Sequence, residues 1–159
     1  MPYSEMMLRR ILLLSIAATM LFAADKPNYS GHWVVDLAKS DFGMMPPPEK
    51  MERDIDHKDP QMQIKSVQKS ERGEFTSESK YTTDGKEATI QMRNRDAKVV
   101  AKWVDNKLEV NVKSEFNGTS IGQKETWTLS DDGKTLTTQS EIQAPQGEFK
   151  TKLVFTKGK

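Results

Sequence analysis

This 159-residue chain predicts an all-β fold, a single up-and-down antiparallel β-barrel of about ten strands. Three observations carry that reading. Apolar and polar residues alternate with period two almost everywhere after Asp25. Clusters of Asp, Asn and Gly interrupt the alternation at short, regular intervals. No long window beyond the N-terminal segment shows helical spacing of apolar residues.

The elements follow in order. The first strand is expected over 31–37, where "GHWVVDL" opens with Gly31 and Trp33. Gly31 allows the backbone to approach a neighbour or to turn where a Cβ would clash. Trp33 is expected to fill the barrel base with a large ring whose N–H finds a carbonyl. Next comes "KSDFGMMPPPEK", in which Pro46, Pro47 and Pro48 can continue neither a ladder nor a helix. Its Phe42, Met44 and Met45 either lie across an open end of the barrel or belong to an ordinary surface linker. Strands are then expected over 50–57, 61–69, 74–82, 87–93, 97–104, 107–116, 120–129, 134–143 and 148–156. Their turns are "HKDP" at 57–60, "TDGK" at 83–86, "RNRD" at 93–96, "VDNK" at 104–107, "FNGTS" at 116–120, "SDDGK" at 130–134 and "APQGE" at 144–148. "KLEVNVKSEF" shows the alternation best: Leu108, Val110, Val112, Ser114 and Phe116 share one face, and charged residues and Asn111 share the other. Consecutive hairpins make a meander. An open ten-stranded sheet would leave long edges, which closure removes.

Two segments follow from composition, a signal peptide over 1–24 and a barrel domain over 25–159. Arg9 and Arg10 precede an apolar run from Ile11 to about Ala24, the order of a secretory signal. Cleavage is expected after Ala23 or Ala24. The run is short for a bilayer span, although an uncleaved anchor is the alternative. The expected location is secreted or periplasmic, with no stable membrane span once the signal is removed. Loss of Glu5, Arg9 and Arg10 leaves 22 basic and 22 acidic residues, a neutral domain. Balanced charge argues against nucleic-acid binding. The absence of cysteine excludes a disulfide framework, a lipoprotein anchor and a thiolate metal site.

The stretch "SGHWVVDL" resembles the entry strand of the calycin proteins, the lipocalins and fatty-acid-binding proteins, which carry Gly-x-Trp there. "YTTDGKEATIQM", "AKWVDNKLEVNV" and "ETWTLSDDGKTLTTQSEI" through "KTKLVFTK" are similar to the fatty-acid-binding meander in order and hairpin rhythm. The beginning of the domain also resembles that of secreted bacterial lipocalin-like proteins, which read "FSGxWxLxxxKSxFG". The resemblance covers roughly residues 28–156. It implies a calycin-like barrel and a small hydrophobic or amphipathic ligand as partner. The departures are also specific. No Thr-Asp-Tyr motif is present, and the proline loop replaces the pair of lid helices. The family's arginine pair is not recognisable near the C-terminus, where Lys150 and Lys152 occur on the last strand.

No nucleophile elbow, phosphate loop, dinucleotide glycine pattern or HExxH is present, so no catalytic residue, cofactor or metal site is assigned. His32 is expected to point outward, and His57 with Asp59 to sit in a solvent-exposed turn. The inward parity is more telling. It carries Ser66, Ser77, Ser79, Ser114, Thr138, Ser140 and Thr151, and also Arg53, Gln123 and Glu125. A solid core avoids such groups, because burying an unpaired polar group costs about 1–3 kcal/mol. A ligand cavity accommodates them. The other explanation is a bulge that returns Arg53 and Glu125 to solvent. The ligand-binding set expected from this reading is Arg53, Phe75, Tyr81, Trp103, Gln123, Glu125, Trp127 and Phe155. A fatty-acid-like carrier is the function expected. The alternative is an envelope or protein-interaction barrel with a filled interior.

Overall fold

The structure, a computed structural model, describes residues 25–159, and the expected signal peptide lies outside them. Its strands are β1 (Gly31–Val35), β2 (Lys50–Lys58), β3 (Gln61–Ser70), β4 (Gly73–Thr82), β5 (Asp84–Met92), β6 (Arg95–Val104), β7 (Lys107–Phe116), β8 (Thr119–Leu129), β9 (Thr135–Ala144) and β10 (Gly147–Lys157). All pairings are antiparallel, in the order β4-β3-β2-β1-β10-β9-β8-β7-β6-β5. The sheet curls until β4 and β5 lie against each other without a ladder between them. The barrel is therefore closed except for a slot between those two strands. No helix of the described residues is long and apolar enough to cross a membrane.

The hairpins form where left-handed backbone is available. Asp105 (φ 54°), Asn117 (φ 50°) and Gly133 (φ 69°) supply it at the β6–β7, β7–β8 and β8–β9 turns. Arg93 and Asn94, at φ 50° and 63°, make the β5–β6 turn. The connection after β4 is tighter than the expected four-residue turn. It contracts to Thr83, and β5 begins at Asp84 with a bulge before Glu87.

β1 is also shorter than expected. At Asp36 the chain leaves the ladder, and its carboxylate accepts the Ala38 and Lys39 amides at 3.1 and 3.2 Å. The proline loop then climbs beside β10 and fills the space that a longer β1 would occupy. Asp41 bridges Lys152, and Phe42 is buried. Gly43 sits at φ 60° with its backbone so close to β10 that a Cβ would meet the Lys150 carbonyl oxygen at 2.5 Å. Met44 and Met45 project into solvent at the barrel's end.

The two ends of the barrel differ. One holds the start of β1 and the β2–β3, β4–β5, β6–β7 and β8–β9 turns. Trp33, Leu108, Leu136 and Phe155, all completely buried, pack the interior toward that end. The other end holds the remaining hairpins and exposes Phe75, Met92 and Phe116. The core is thus solid below and open above.

Candidate functional site

The closed end is sealed by an aromatic plug. Trp33 donates its indole N–H to the Tyr29 carbonyl at 2.8 Å, and Lys157 Nζ lies 5.5 Å from the centre of its ring. Gly31 (φ 145°) sets this entry angle, in a region that side-chain-bearing residues rarely adopt. Tyr29 is completely buried, stacks on both His57 and Trp103, and meets Trp127 edge-on. Its hydroxyl donates to the Trp127 carbonyl at 3.1 Å, and burial pushes the phenol's pKa up.

His57 belongs to this plug, which corrects the expectation of a solvent-exposed turn. β2 continues to Lys58, so His57 keeps the inward parity of Arg53 and Ile55, and it is 2% exposed. Its Nδ1 accepts the Tyr29 amide at 3.1 Å, which leaves the ring neutral with its proton on Nε2, 3.3 Å from Asp59 Oδ1. Asp59 Oδ1 also accepts the Thr83 hydroxyl at 2.6 Å and the Trp103 indole N–H at 2.9 Å. Partial burial works to raise the Asp59 pKa. Hydrogen bonds from Thr83, Trp103 and His57, with Lys26 nearby, outweigh it and hold the carboxyl below its ordinary value. His32 points outward as expected and meets Asp54 at 2.6 Å.

Above the plug lies a cavity of about 510 Å³, within the range of small-molecule pockets. Its walls include both flanks of the β4–β5 slot, with Phe75, Ser77 and Ser79 on one side and Ile90, Met92 and Arg93 on the other. Its floor is polar. Arg53 from β2 and Glu125 from β8 face each other across the barrel, Nη1 to Oε1, at 3.5 Å. The guanidinium carbon lies 4.8 Å from the centre of the Phe155 ring and 5.7 Å from that of Trp127. The 3.5 Å separation makes an ion pair but is long for a hydrogen bond. Gln123 Nε2 bridges Glu125 Oε2 at 3.3 Å and Ser140 Oγ at 3.4 Å. Tyr81 faces the pair from β4. Burial, then the charge of Glu125, raises its phenol pKa, while Arg53 opposes the shift.

Glu125 Oε1, Trp127 Nε1 and Thr138 Oγ1 are buried without a hydrogen-bond partner in the protein. Nearly all buried polar groups are satisfied in folded proteins, so the three stand out; Glu125 and Trp127 belong to the residues that line the cavity.

Of the eight residues the sequence singles out, Arg53, Phe75, Tyr81, Gln123, Glu125 and Trp127 line the cavity together. Trp103 does not. It takes the last inward position toward the closed end of β6, and its N–H is committed to Asp59. Phe155 does not line the cavity either, because Arg53 lies over its ring. Both Arg53 and Glu125 keep inward parity, without the bulge that would have returned them to solvent. The plug residue Tyr29 escapes the sequence reading, although its parity with Gly31 and Trp33 is visible there. Among the described residues no group of three or more His, Asp or Glu is placed to hold a metal ion.

No protein-family model matches the chain, and no curated protein does. Solved structures do match. A zebrafish ileal bile acid-binding protein, crystallised with cholic acid, superposes with a TM-score of 0.58 at 15% identity, over 82% of this chain and 98% of its own. A secretory abundant heat soluble protein from Ramazzottius varieornatus gives 0.61 at 13% identity, over 81% and 94%. The fluorescent protein UnaG, in a mutant form, gives 0.58 at 17% identity, over 82% and 96%.

Proposed function

With a calycin-like barrel of the fatty-acid-binding-protein type as premise, we propose that this protein is a carrier of a small amphipathic, fatty-acid-like ligand, working in a secreted or periplasmic location. The observation that carries the reading is the cavity of about 510 Å³ whose floor combines an ion pair with unpartnered buried polar atoms. A filled barrel would leave neither the space nor the orphaned groups. The cholic acid held by the zebrafish protein supports small-ligand binding in a barrel of this shape. In the proposed pose the ligand's polar end meets Arg53, Gln123 and Trp127, and its apolar body runs past Ile90 and Val110 toward Phe75 and Met92 at the mouth. Trp103, tied to Asp59 below the floor, takes no part in this pose.

The test is titration of a fluorescent fatty-acid analogue into the wild type, Arg53→Lys and Arg53→Ala. Saturable binding is expected for the wild type. Arg53→Lys is expected to weaken it, because lysine lacks the planar fork that grips a carboxyl group. Equal affinity in all three proteins rules out an anchor at Arg53. No saturable binding to the wild type rules out the fatty-acid-like carrier. Native mass spectrometry of protein from its own host tests carriage directly, because a retained ligand adds mass.

A further inference from the structure

The cavity floor is electrically balanced before any ligand arrives. Arg53 enters from β2 and Glu125 from β8, 3.5 Å apart. The other groups facing the pair add no compensating charge. They are Tyr81 from β4, held in its neutral phenol form by burial, Gln123 from β8, Thr138 and Ser140 from β9, Val110 from β7 and Phe155 from β10. His57 lies lower on β2, and its Nδ1 is occupied as an acceptor. The lysines of β10, Lys150 and Lys152, occupy the outward parity and face solvent. Arg93, the other cation lining the cavity, stands at the mouth beside the Phe75 ring, so among the described residues Arg53 is the one cation at the floor.

The unsatisfied atoms are of both kinds. Glu125 Oε1 can accept and Trp127 Nε1 can donate, and neither has a hydrogen-bond partner in the protein, although Oε1 is ion-paired with Arg53. Both atoms lie beneath the cavity surface, so a head group that meets them must move side chains to do so and must carry both a donor and an acceptor. A carboxylate has no donor, and in this place it would add an uncompensated negative charge beside Glu125. A carboxylic acid or a primary amide offers both and adds none.

We infer that the cavity takes its ligand's head group in uncharged form, so that a carboxylic acid binds with uptake of one proton. This rests on the carrier reading above. The proton comes from solvent and resides on the ligand's carboxyl group. Arg53 keeps its own. Above the ordinary carboxylate range the free acid is an anion, so each one bound draws one proton from the buffer, whereas an amide draws none on its own account.

The experiment is isothermal titration calorimetry of the full domain with decanoic acid and with decanamide, in two buffers of different ionisation enthalpy, between about pH 6 and pH 8. The expected difference between the two probes is about one proton per ligand, and the affinity for the acid rises close to tenfold per pH unit as the pH falls. Glu125→Gln is expected to abolish the difference and to bind decanoic acid more tightly than the wild type at the upper pH. Equal proton uptake for acid and amide overturns the inference and leaves the carrier reading standing. Failure of both probes to bind removes the carrier reading and this inference with it.

Discussion

Removing Arg53 while leaving Glu125 in place is the most discriminating perturbation of stability. Arg53→Met keeps most of the side chain's volume and its apolar stem but strands a carboxylate that is about nine-tenths buried. Breaking one partner out of a buried ion pair typically costs about 3–5 kcal/mol, mostly the penalty of an uncompensated charge. The lost contact with the Phe155 and Trp127 rings adds about 0.5–2 kcal/mol. Against a domain stability of about 5–15 kcal/mol, the loss is large enough to move a urea midpoint substantially. Glu125→Leu should cost a comparable amount, and the double variant little, because an apolar pair of similar volume needs no compensation. With about 3–5 kcal/mol lost in each single and little in the double, the expected coupling energy from the cycle is about 6–10 kcal/mol, with the singles far worse than the double. The pH dependence separates the two singles. Glu125 can relieve its isolation by taking up a proton, so the cost of Arg53→Met shrinks on acidification. Arg53 cannot lose its proton, so the cost of Glu125→Leu does not shrink. Urea unfolding followed by tryptophan fluorescence at two pH values measures all four species. A coupling energy below about 0.5 kcal/mol, the level at which independent sites add, would refute the claim that the pair is buried and mutually compensating.

Two further outcomes test the closed end. Trp33→Ala should destabilise by about 3–5 kcal/mol, the range for truncating a buried tryptophan, and a loss below about 1 kcal/mol in urea unfolding would mean that Trp33 is no plug. Asp59 titrates below its ordinary value of 3.8, so its contribution is fully present above that value and is lost as the pH falls through the lower folded value. Asp59→Asn should accordingly melt below the wild type at pH 7, with the two melting curves converging in strong acid. Parallel curves down to about pH 2 would contradict the assignment.

Period two makes most of the barrel legible, because each strand keeps one face on the interior and the turn residues between strands are chemically distinctive. It puts Arg53, Gln123 and Glu125 inside, and that parity holds. What alternation encodes is the face of a residue and not its height along the barrel. Trp103 and Trp127 share the inward face of adjoining parts of the wall, yet one is tied to Asp59 below the floor and the other lines the cavity. His57 is misread for a related reason. "HKDP" has turn composition, and the burial comes from Tyr29, a residue distant in sequence that folds over the strand end. Likewise nothing local in β2 or β8 indicates that Arg53 meets Glu125. Only the strand order, which places β2 across the barrel from β8, brings them together. The slot between β4 and β5 is also hidden, since both strands carry ordinary alternation and differ only in lacking a shared ladder.

The pairing of β1 with β10 has a consequence in time. Trp33 sits opposite Lys157 and Val35 opposite Phe155, so the first strand finds its second neighbour only when nearly the whole chain is present. The eight other ladders join strands adjacent in sequence and can zip locally, hairpin by hairpin. The last loop to close is the longest one the chain has, and its entropy must be met before the floor residues are held in place. A chain still being synthesised can therefore form hairpins but not the enclosed cavity, whose wall is completed only by the C-terminal strand.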